Sequence, residues 1–248
     1  MRPNLYIIGG QKCGTSALAH FLAQHPDISL AHNKEAHVFD EPEMYHQGAT
    51  QWDRAYQQAF EHVTAPTRYY CDATPIYSYF TELLPRIASY SPGARVIMMV
   101  REPVDRAISQ YHMEKGRGNE HRSMLGAFLA EPFRLRRHAD NLAFNAPRRC
   151  HSYLDRGRFL TQLQAIDQAF GSYQYIVVHN DDLRQHHQAT LARIFGFLDL
   201  PDHPIAKEPV FSGHYPPPCW NQTLARWYAK ARLTLESDLI AQFKHREQ

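Results

Sequence analysis

The sequence predicts an α/β fold in which a parallel β-sheet is flanked by helices on both faces. Short apolar runs alternate with amphipathic segments along the chain, and turn residues such as glycine and proline separate them. Strands that alternate with helices pair in parallel, because each helix carries the chain back across one face of the sheet. A glycine-rich turn directly after the first apolar run makes this sheet P-loop-like. With 248 residues, no internal repeat and no linker, residues 1–248 are expected to form one domain.

Composition and charge exclude several classes of protein. Hydrophobic residues make up 44% and charged residues 21% of the chain, which is ordinary for a globular protein. A formal net charge of +2 argues against a broad nucleic-acid-binding surface. No apolar run approaches the roughly 20 residues that span a bilayer, and the N-terminal "MRPNLYIIGG" is too short and polar for a signal peptide. We therefore expect a cytoplasmic protein without a membrane span, whose four cysteines are free thiols.

The first half of the chain contains four predicted strands. Residues 5–8 are apolar and end in two glycines, as in a buried parallel strand, and apolar residues then recur at helical spacing. Pro75 ends the fourth strand and suits the first turn of a helix. The expected elements are, in order, strand 5–8, helix 15–24, strands 28–30 and 36–39, helix 51–62, strand 68–71 and a helix from Pro75.

The second half contains the clearest buried strand, "ARVIMMV" at 94–100, and Pro103 suits the first turn of the helix that follows it. Charged residues and asparagines make 123–145 a candidate lid of helix and loop. The expected elements are strand 94–100, a helix from Pro103, helix and loop at 123–145, helix 153–170, strand 174–178, helix 188–198, a proline-rich loop at 201–220 and a terminal helix at 221–243.

The turn "GGQKCGTS" predicts a phosphate site that differs from an ATP or GTP site. Gly9 and Gly14 have the spacing of a Walker A loop, but Thr15 stands where that loop has its lysine, and Lys12 lies inside the turn. Backbone amides, the helix N-terminus and two hydroxyls can still hold a phosphate. Lys12 could neutralise a bridging oxygen where a leaving group departs. A purely structural turn and an atypical P-loop NTPase remain alternatives.

A second anion site is predicted after the strand at 94–100. Arg101 falls at its carboxyl end, where α/β folds place ligands, and Ser109 lies about two helical turns further on. Taken alone, Arg101 suits a salt bridge with Glu102 or Asp105 better. Together with the first loop, the two sites suit a ligand with phosphates at two ends.

"GGQKCGTSAL" and "VIMMVREPVDRAISQY" together resemble the sulfotransferases that use 3′-phosphoadenosine 5′-phosphosulfate (PAPS). The resemblance implies the sulfotransferase fold, PAPS as donor and no metal requirement. It implies that the first loop holds the 5′-phosphosulfate and that Arg101 and Ser109 bind the 3′-phosphate. The donor-binding residues expected in the loop are Gly10, Gln11, Lys12, Cys13, Gly14, Thr15 and Ser16.

"NKEAHVFD" resembles the KExHFFD element of heparan-sulfate-type and related bacterial sulfotransferases, and "DATPIY" resembles their next element. Sulfuryl transfer to an alcohol needs a base for the hydroxyl proton and a cation at the leaving phosphate. The resemblance implies Glu35 as base, with Lys12 at the leaving phosphate. A carboxylate can act as this base if partial burial raises its pKa toward neutrality. His37 would position substrate, tune Glu35 or itself be the base, and Asp40 would contact substrate or orient a neighbour.

Two departures from the family's pattern leave the acceptor open. Some members carry a lysine where this chain has Ala73, and Lys34 and Arg68 are candidates to replace it. The basic loop that glycan-modifying relatives close over the 3′-phosphate is poorly matched by "KEPVFSGHYPPPCW". We expect 112–150 and 203–220 to face the substrate or donor.

The predicted activity is O-sulfation of a carbohydrate or a small hydroxylated acceptor, and a P-loop-type small-molecule kinase or nucleotide-binding protein is the alternative. The sequence does not specify an oligomeric state.

Overall fold

Five parallel strands form one sheet in the order β2-β3-β1-β4-β5. The computed structural model describes residues 1–137, 143–208, 210 and 220–244. The strands are β1 (Leu5–Gly9), β2 (Ile28–Leu30), β3 (Tyr69–Asp72), β4 (Arg95–Val100) and β5 (Tyr175–His179).

Helices flank this sheet and make up most of the remaining regular structure. They are α1 (Thr15–Leu22), α2 (Ala49–Ala59), α3 (Leu84–Tyr90), α4 (Pro103–Gly116), α5 (Met124–Arg137), α6 (Pro147–Cys150), α7 (Phe159–Phe170), α8 (Asn180–Gln185), α9 (His187–Phe197) and α10 (Trp220–Ala241). Short 3₁₀ turns lie at Thr81–Leu83 and Asp155–Gly157. The predicted α/β fold with a parallel sheet is confirmed.

Strand order determines where a ligand can bind. β1 lies between β3 and β4, with Leu5 paired to Cys71 on one side and Tyr6 paired to Val96 on the other. The chain leaves β1 toward one edge of the sheet and returns to β4 on the opposite side. The carboxyl ends of β1 and β4 therefore form the topological switch point at which open α/β sheets bind ligands.

The core has two parts. All five residues of β1 are buried, and together with β4 they form the centre of the larger hydrophobic cluster. A smaller cluster joins α4, α5 and α10 and includes Tyr111, Phe128 and Leu233. The predicted lid at 123–145 is thus largely a packed helix, α5, and residues 138–142 lie outside the described part of the chain.

One predicted strand and several predicted helix boundaries are wrong. Residues 36–39 are not a strand but part of an irregular segment in which His37 has a φ of 53°, outside the extended region. Pro75 begins a series of turns, and α3 starts only at Leu84. The helix expected from 153 starts at Phe159, after a 3₁₀ turn, and α10 has non-helical dihedral angles at Leu233.

Three of the four cysteines, Cys13, Cys71 and Cys150, are free and buried, and Cys219 lies outside the described residues. Among the residues described, no helix is both long enough and apolar enough to cross a membrane. The same residues contain no group of three or more histidine, cysteine, aspartate or glutamate side chains arranged to hold a metal ion.

Candidate active site

The loop between β1 and α1 has the backbone of an anion-binding turn. Lys12 and Gly14 have left-handed φ angles of 68° and 93°. Alternating backbone handedness directs neighbouring amide N–H groups toward one side, which gives the loop a concave donor surface. Gly14 is required there, since a Cβ atom would lie 2.3 Å from the Asn180 side-chain nitrogen, which donates to the Cys13 carbonyl at 2.9 Å.

Contacts from two further elements, β4 and the 3₁₀ turn at Asp155–Gly157, also fix this loop in place. The Gly10 N–H donates to the Met99 carbonyl at 2.5 Å, and the Gln11 side-chain oxygen accepts a hydrogen bond from the buried Arg156 guanidinium. Cys13 is buried, and burial raises the pKa of its thiol to about 12. Cys13 is therefore a packing residue of the loop, because only a thiolate is reactive.

Positive charge accumulates at the loop, and the nearby Glu114 carboxylate offsets only part of it. Burial, followed by the guanidinium groups of Arg117 and Arg101, lowers the pKa of Lys12. Arg101 turns back onto the loop and donates to the Lys12 carbonyl at 3.4 Å. Within the described residues neither Lys12 nor Arg101 is part of an ion pair, so the salt bridge to Glu102 or Asp105 considered above is absent there. Such a site attracts an anion.

The hydroxyl groups expected at the donor site differ in exposure. Thr15 and Ser109 are 4% and 3% exposed, whereas Ser16 is half-buried and accepts a hydrogen bond from Lys34 at 3.2 Å. The structure brings Arg101 and the loop together through the hydrogen bond of Arg101 to the Lys12 carbonyl. A phosphate contact by Ser109 stays a prediction.

Five side chains form a continuous polar line beside the loop. Lys34 Nζ lies 2.5 Å from Glu35 Oε1, and His37 Nε2 lies 3.3 Å from Glu35 Oε2. His37 Nδ1 contacts Asp40 Oδ2 at 2.9 Å, and Arg149 donates to the same oxygen at 2.5 Å. Asp40 is only 1% exposed, which leaves its carboxylate little access to a substrate. Its contacts with His37 and Arg149 instead suit a residue that orients His37.

The condition that burial raises the pKa of Glu35 is not met in this geometry. Burial does favour its neutral form, but the hydrogen bond from His37 and the charge of Lys34 outweigh it and lower the pKa from 4.5 to about 2. Burial likewise opposes the charged form of His37, yet its hydrogen bonds to Asp40 and Glu35 raise the pKa from 6.5 to about 10. Both shifts favour the charged forms, a carboxylate and an imidazolium.

The segment that carries Glu35 is held by the end of β3. Asp72 is fully buried, accepts a hydrogen bond from the Ala36 N–H at 3.2 Å and binds the Thr74 hydroxyl at 2.5 Å. Thr74 in turn accepts from the His37 N–H at 3.3 Å, and the Ala73 N–H donates to the Lys34 carbonyl at 3.0 Å. "DATP" therefore fixes the backbone next to Glu35.

One exposed aromatic ring lies beside His37. Phe144 is 50% exposed, with its ring 5.8 Å from the imidazole and perpendicular to it. The Arg149 guanidinium lies 4.6 Å from the same ring. Trp52, by contrast, packs its ring 5.0 Å from the buried Phe39 and belongs to the core.

Comparisons with known proteins agree with this geometry. The family model for the sulfotransferase domain matches residues 2–212. The chain belongs to the sulfotransferase family. A crystal structure of a sulfotransferase from Alicyclobacillus acidocaldarius is similar over 100% of this chain and 98% of its own, with a TM-score of 0.73 and 25% identity. The sulfotransferase domain of the curacin biosynthetic pathway has the same fold, with a TM-score of 0.52 and 15% identity over 82% of this chain and 76% of its own. The predicted family and the P-loop-like sulfotransferase fold are confirmed.

Curated relatives match a shorter stretch of this sulfotransferase. The membrane-associated sulfotransferase kil1 of Dictyostelium discoideum is 33% identical over 112 residues, which cover 44% of this chain and 22% of that protein. Mouse heparan sulfate glucosamine 3-O-sulfotransferase 3B1 is 38% identical over 109 residues, which cover 44% of this chain and 26% of that enzyme. The aligned stretch thus spans less than a third of either relative, and it tests neither the acceptor nor the site residues.

Three residues of the site were missed from the sequence. Arg149 binds Asp40, Arg156 binds Gln11 and Asn180 binds the Cys13 carbonyl. All three are more than 100 positions from their partners, and no local pattern distinguishes them from surface residues. Two neighbouring charges, Lys34 and Glu35, were visible in the sequence, but only the fold shows that Lys34 also reaches Ser16.

Proposed function

We propose that this sulfotransferase transfers a sulfuryl group from PAPS to a hydroxyl of a carbohydrate or small-molecule acceptor. The observation that carries the proposal is the pairing of a cationic loop, with Lys12 and Arg101, and a carboxylate, Glu35, connected to it through Lys34 and Ser16. The family match supports sulfuryl transfer. PAPS as donor, the O-acceptor and the residue roles are our proposals.

The residues of the donor site fit a nucleotide with phosphates at two ends. The left-handed loop presents amides, and Lys12 forms no ion pair among the described residues, which leaves its ammonium available to a 5′-phosphosulfate. Arg101 is proposed to hold the 3′-phosphate, together with Ser109. PAPS supplies an activated sulfuryl group whose leaving group is a phosphate. Lys12 would stabilise the charge that develops there, which removes the need for a metal ion.

Glu35 is proposed to accept the proton of the acceptor hydroxyl as its oxygen attacks sulfur. The low pKa of Glu35 keeps it ionised and able to accept a proton at neutral pH. The raised pKa of His37 keeps the imidazole protonated, which favours Glu35 over His37 as base. His37 would then orient Glu35 and the acceptor, while Asp40 holds His37 in position.

The acceptor is proposed to approach over His37 and Phe144. An exposed aromatic ring beside an imidazolium suits a sugar ring or an aromatic alcohol, because both combine an apolar face with hydroxyl groups. The heparan sulfate relatives favour a glycan. Arg149 is engaged with the buried Asp40 and is not placed to bind an acidic acceptor, and the net charge of +2 argues for a short or weakly acidic one.

Ligand-dependent thermal stability tests the donor against the kinase alternative. Adenosine 3′,5′-bisphosphate (PAP), the product, should stabilise the protein by about 2.7 kcal/mol at a hundredfold excess over its Kd. For a chain of this length that is a rise in Tm of roughly 5–10 °C. ATP with Mg²⁺ should give a smaller shift, and EDTA should leave turnover with PAPS unchanged. A shift with ATP·Mg²⁺ alone would overturn the proposal.

Substitution of the base tests the mechanism. Glu35→Gln should abolish turnover while the variant still binds PAP, because the amide keeps the shape of the side chain but cannot accept the proton. His37→Gln should retain measurable turnover, since it removes an orienting group. If His37→Gln were inactive and Glu35→Gln active, the roles of the two residues would be reversed.

A further inference from the structure

We propose that Lys34 couples donor binding to activation of the base: its ammonium leaves the Glu35 carboxylate for an anionic oxygen of the donor bound beside Ser16. This inference rests on the proposed function and concerns the same site. It assigns a role to a residue that lies between the two halves of the site and belongs to neither.

The contacts of Lys34 place its ammonium between donor loop and base. Its Nζ lies 2.5 Å from Glu35 Oε1 and 3.2 Å from the Ser16 hydroxyl oxygen, in the first turn of α1. An ammonium has three N–H donors, so one remains for a ligand. The side chains of Lys34 and Glu35 are 21% and 32% exposed, which leaves the pair accessible from the site.

The backbone of Lys34 is fixed, so only its side chain is free to move. Its N–H donates to the Ala31 carbonyl at 2.8 Å and its carbonyl accepts from the Ala73 N–H at 3.0 Å. Its left-handed φ of 62° is uncommon for a residue with a Cβ atom and is maintained by these two contacts. A flexible lysine side chain on a fixed backbone can exchange one anionic partner for another within a few ångströms.

The charges around Glu35 indicate that the Lys34 ammonium moves toward the donor when the donor binds. Without a donor, Glu35 is the anion nearest to Lys34, and two cations, Lys34 and His37, share its single carboxylate. A phosphosulfate in the loop would bring further anionic oxygens to Ser16. Moving the ammonium toward them leaves Glu35 with His37 alone and raises the pKa of the carboxyl, because withdrawal of a positive charge destabilises its ionised form.

This exchange would reconcile the low basicity of Glu35 with its role. A carboxylate whose pKa is held at about 2 is a weak acceptor for a hydroxyl proton at neutral pH. Release of Lys34 would make Glu35 more basic only when the sulfuryl group is in place. An arginine at position 34 would not release Glu35 in this way, because its planar guanidinium binds a carboxylate through two hydrogen bonds.

A double-mutant cycle on PAP affinity tests the exchange without turnover. The Kd for PAP, whose 5′-phosphate supplies the anionic oxygen, is measured by calorimetry for wild type, Glu35→Gln, Lys34→Met and the double variant. Glu35→Gln removes the competing carboxylate and should tighten PAP binding about threefold to tenfold. Lys34→Met should weaken it about tenfold. With Met at position 34, Glu35→Gln should change the Kd less than twofold.

The exposed Lys230 of α10 provides the control, since Lys230→Met should leave PAP affinity and turnover unchanged. If Lys34→Met folds poorly, Lys34→Gln replaces it in the cycle. Lys34→Arg should bind PAP within a few-fold of wild type but turn over at least tenfold more slowly. Equal effects of Glu35→Gln in both backgrounds would overturn the exchange while the proposed function stands. Failure of wild type to bind PAP would instead overturn the proposed function and the exchange with it.

Discussion

Replacement of Arg149 by methionine should destabilise the protein by several kcal/mol. Arg149 and Asp40 have side chains that are 5% and 0% exposed, with the guanidinium 2.5 Å from the carboxylate. Methionine keeps much of the side-chain volume but leaves a buried carboxylate with only His37 as its charged partner. Removing one partner of a buried ion pair costs about 3–5 kcal/mol. At this chain length that corresponds to a loss of roughly 6–20 °C in Tm.

The neighbouring Arg148 provides a matched control. It pairs with Glu82 at 2.5 Å, but the two side chains are 24% and 35% exposed, so Arg148→Met should cost about 0–1 kcal/mol. Each arginine also lies over two aromatic rings, so the two variants lose comparable ring contacts. Urea denaturation followed by circular dichroism measures both losses. If the two variants were equally stable, the reasoning from burial would be refuted. Adding Asp40→Asn to Arg149→Met should recover part of the loss.

Three further predictions concern the pH dependence of stability, the loop and the donor. The pKa of His37 is raised to about 10, so its stabilising contribution is complete below about pH 6.5 and is lost as the pH rises through about 10. The unfolding free energy of wild type minus that of His37→Gln should fall over this range, and a constant difference would contradict the ion pairs. Gly14→Ala should cost at least about 1–2 kcal/mol in urea denaturation, whereas Gly93→Ala, whose Cβ meets nothing within 4 Å, should stay within about 0.5 kcal/mol. Lys12→Ala should lower kcat about 10²- to 10³-fold, whereas Arg101→Ala should raise the KM for PAPS roughly 10- to 100-fold, and the opposite pattern in steady-state kinetics would exchange their roles.

The sequence was most informative where a few adjacent residues determine both a structural element and the chemistry at its end. An apolar run followed by glycines predicted β1 and its loop, and the five buried residues of β1 show why the pattern was clear. Arg101 was predicted at a strand end and indeed follows β4, beside the loop after β1. Such features are encoded by a few adjacent residues, and parallel pairing then brings them together.

The segment around Glu35 could not be predicted in the same way. Val38 and Phe39 are buried, and their apolar character suggested a strand. In the structure the backbone there is held by Asp72 and Thr74, so contacts from β3 override the local β propensity. The pKa of Glu35 could not be predicted for a related reason: the sequence suggests partial burial, but the two cations that lower the pKa come together beside the carboxylate only in the folded structure.

The site combines a fixed backbone with a charge distribution that a ligand can change. Lys34 and His37 have left-handed φ angles of 62° and 53°, each of which costs of order 1–3 kcal/mol in a residue with a side chain. The fully buried Asp72 network and the Asp40–Arg149 pair offset that cost and keep the two residues at Glu35. Neither network includes the Lys34 ammonium, whose partners are the site residues Glu35 and Ser16. Protonation of Glu35, the proposed base, would therefore respond to an anion in the loop without any change of fold, and the affinity of that anion would respond equally to Glu35, because coupling between two sites is reciprocal.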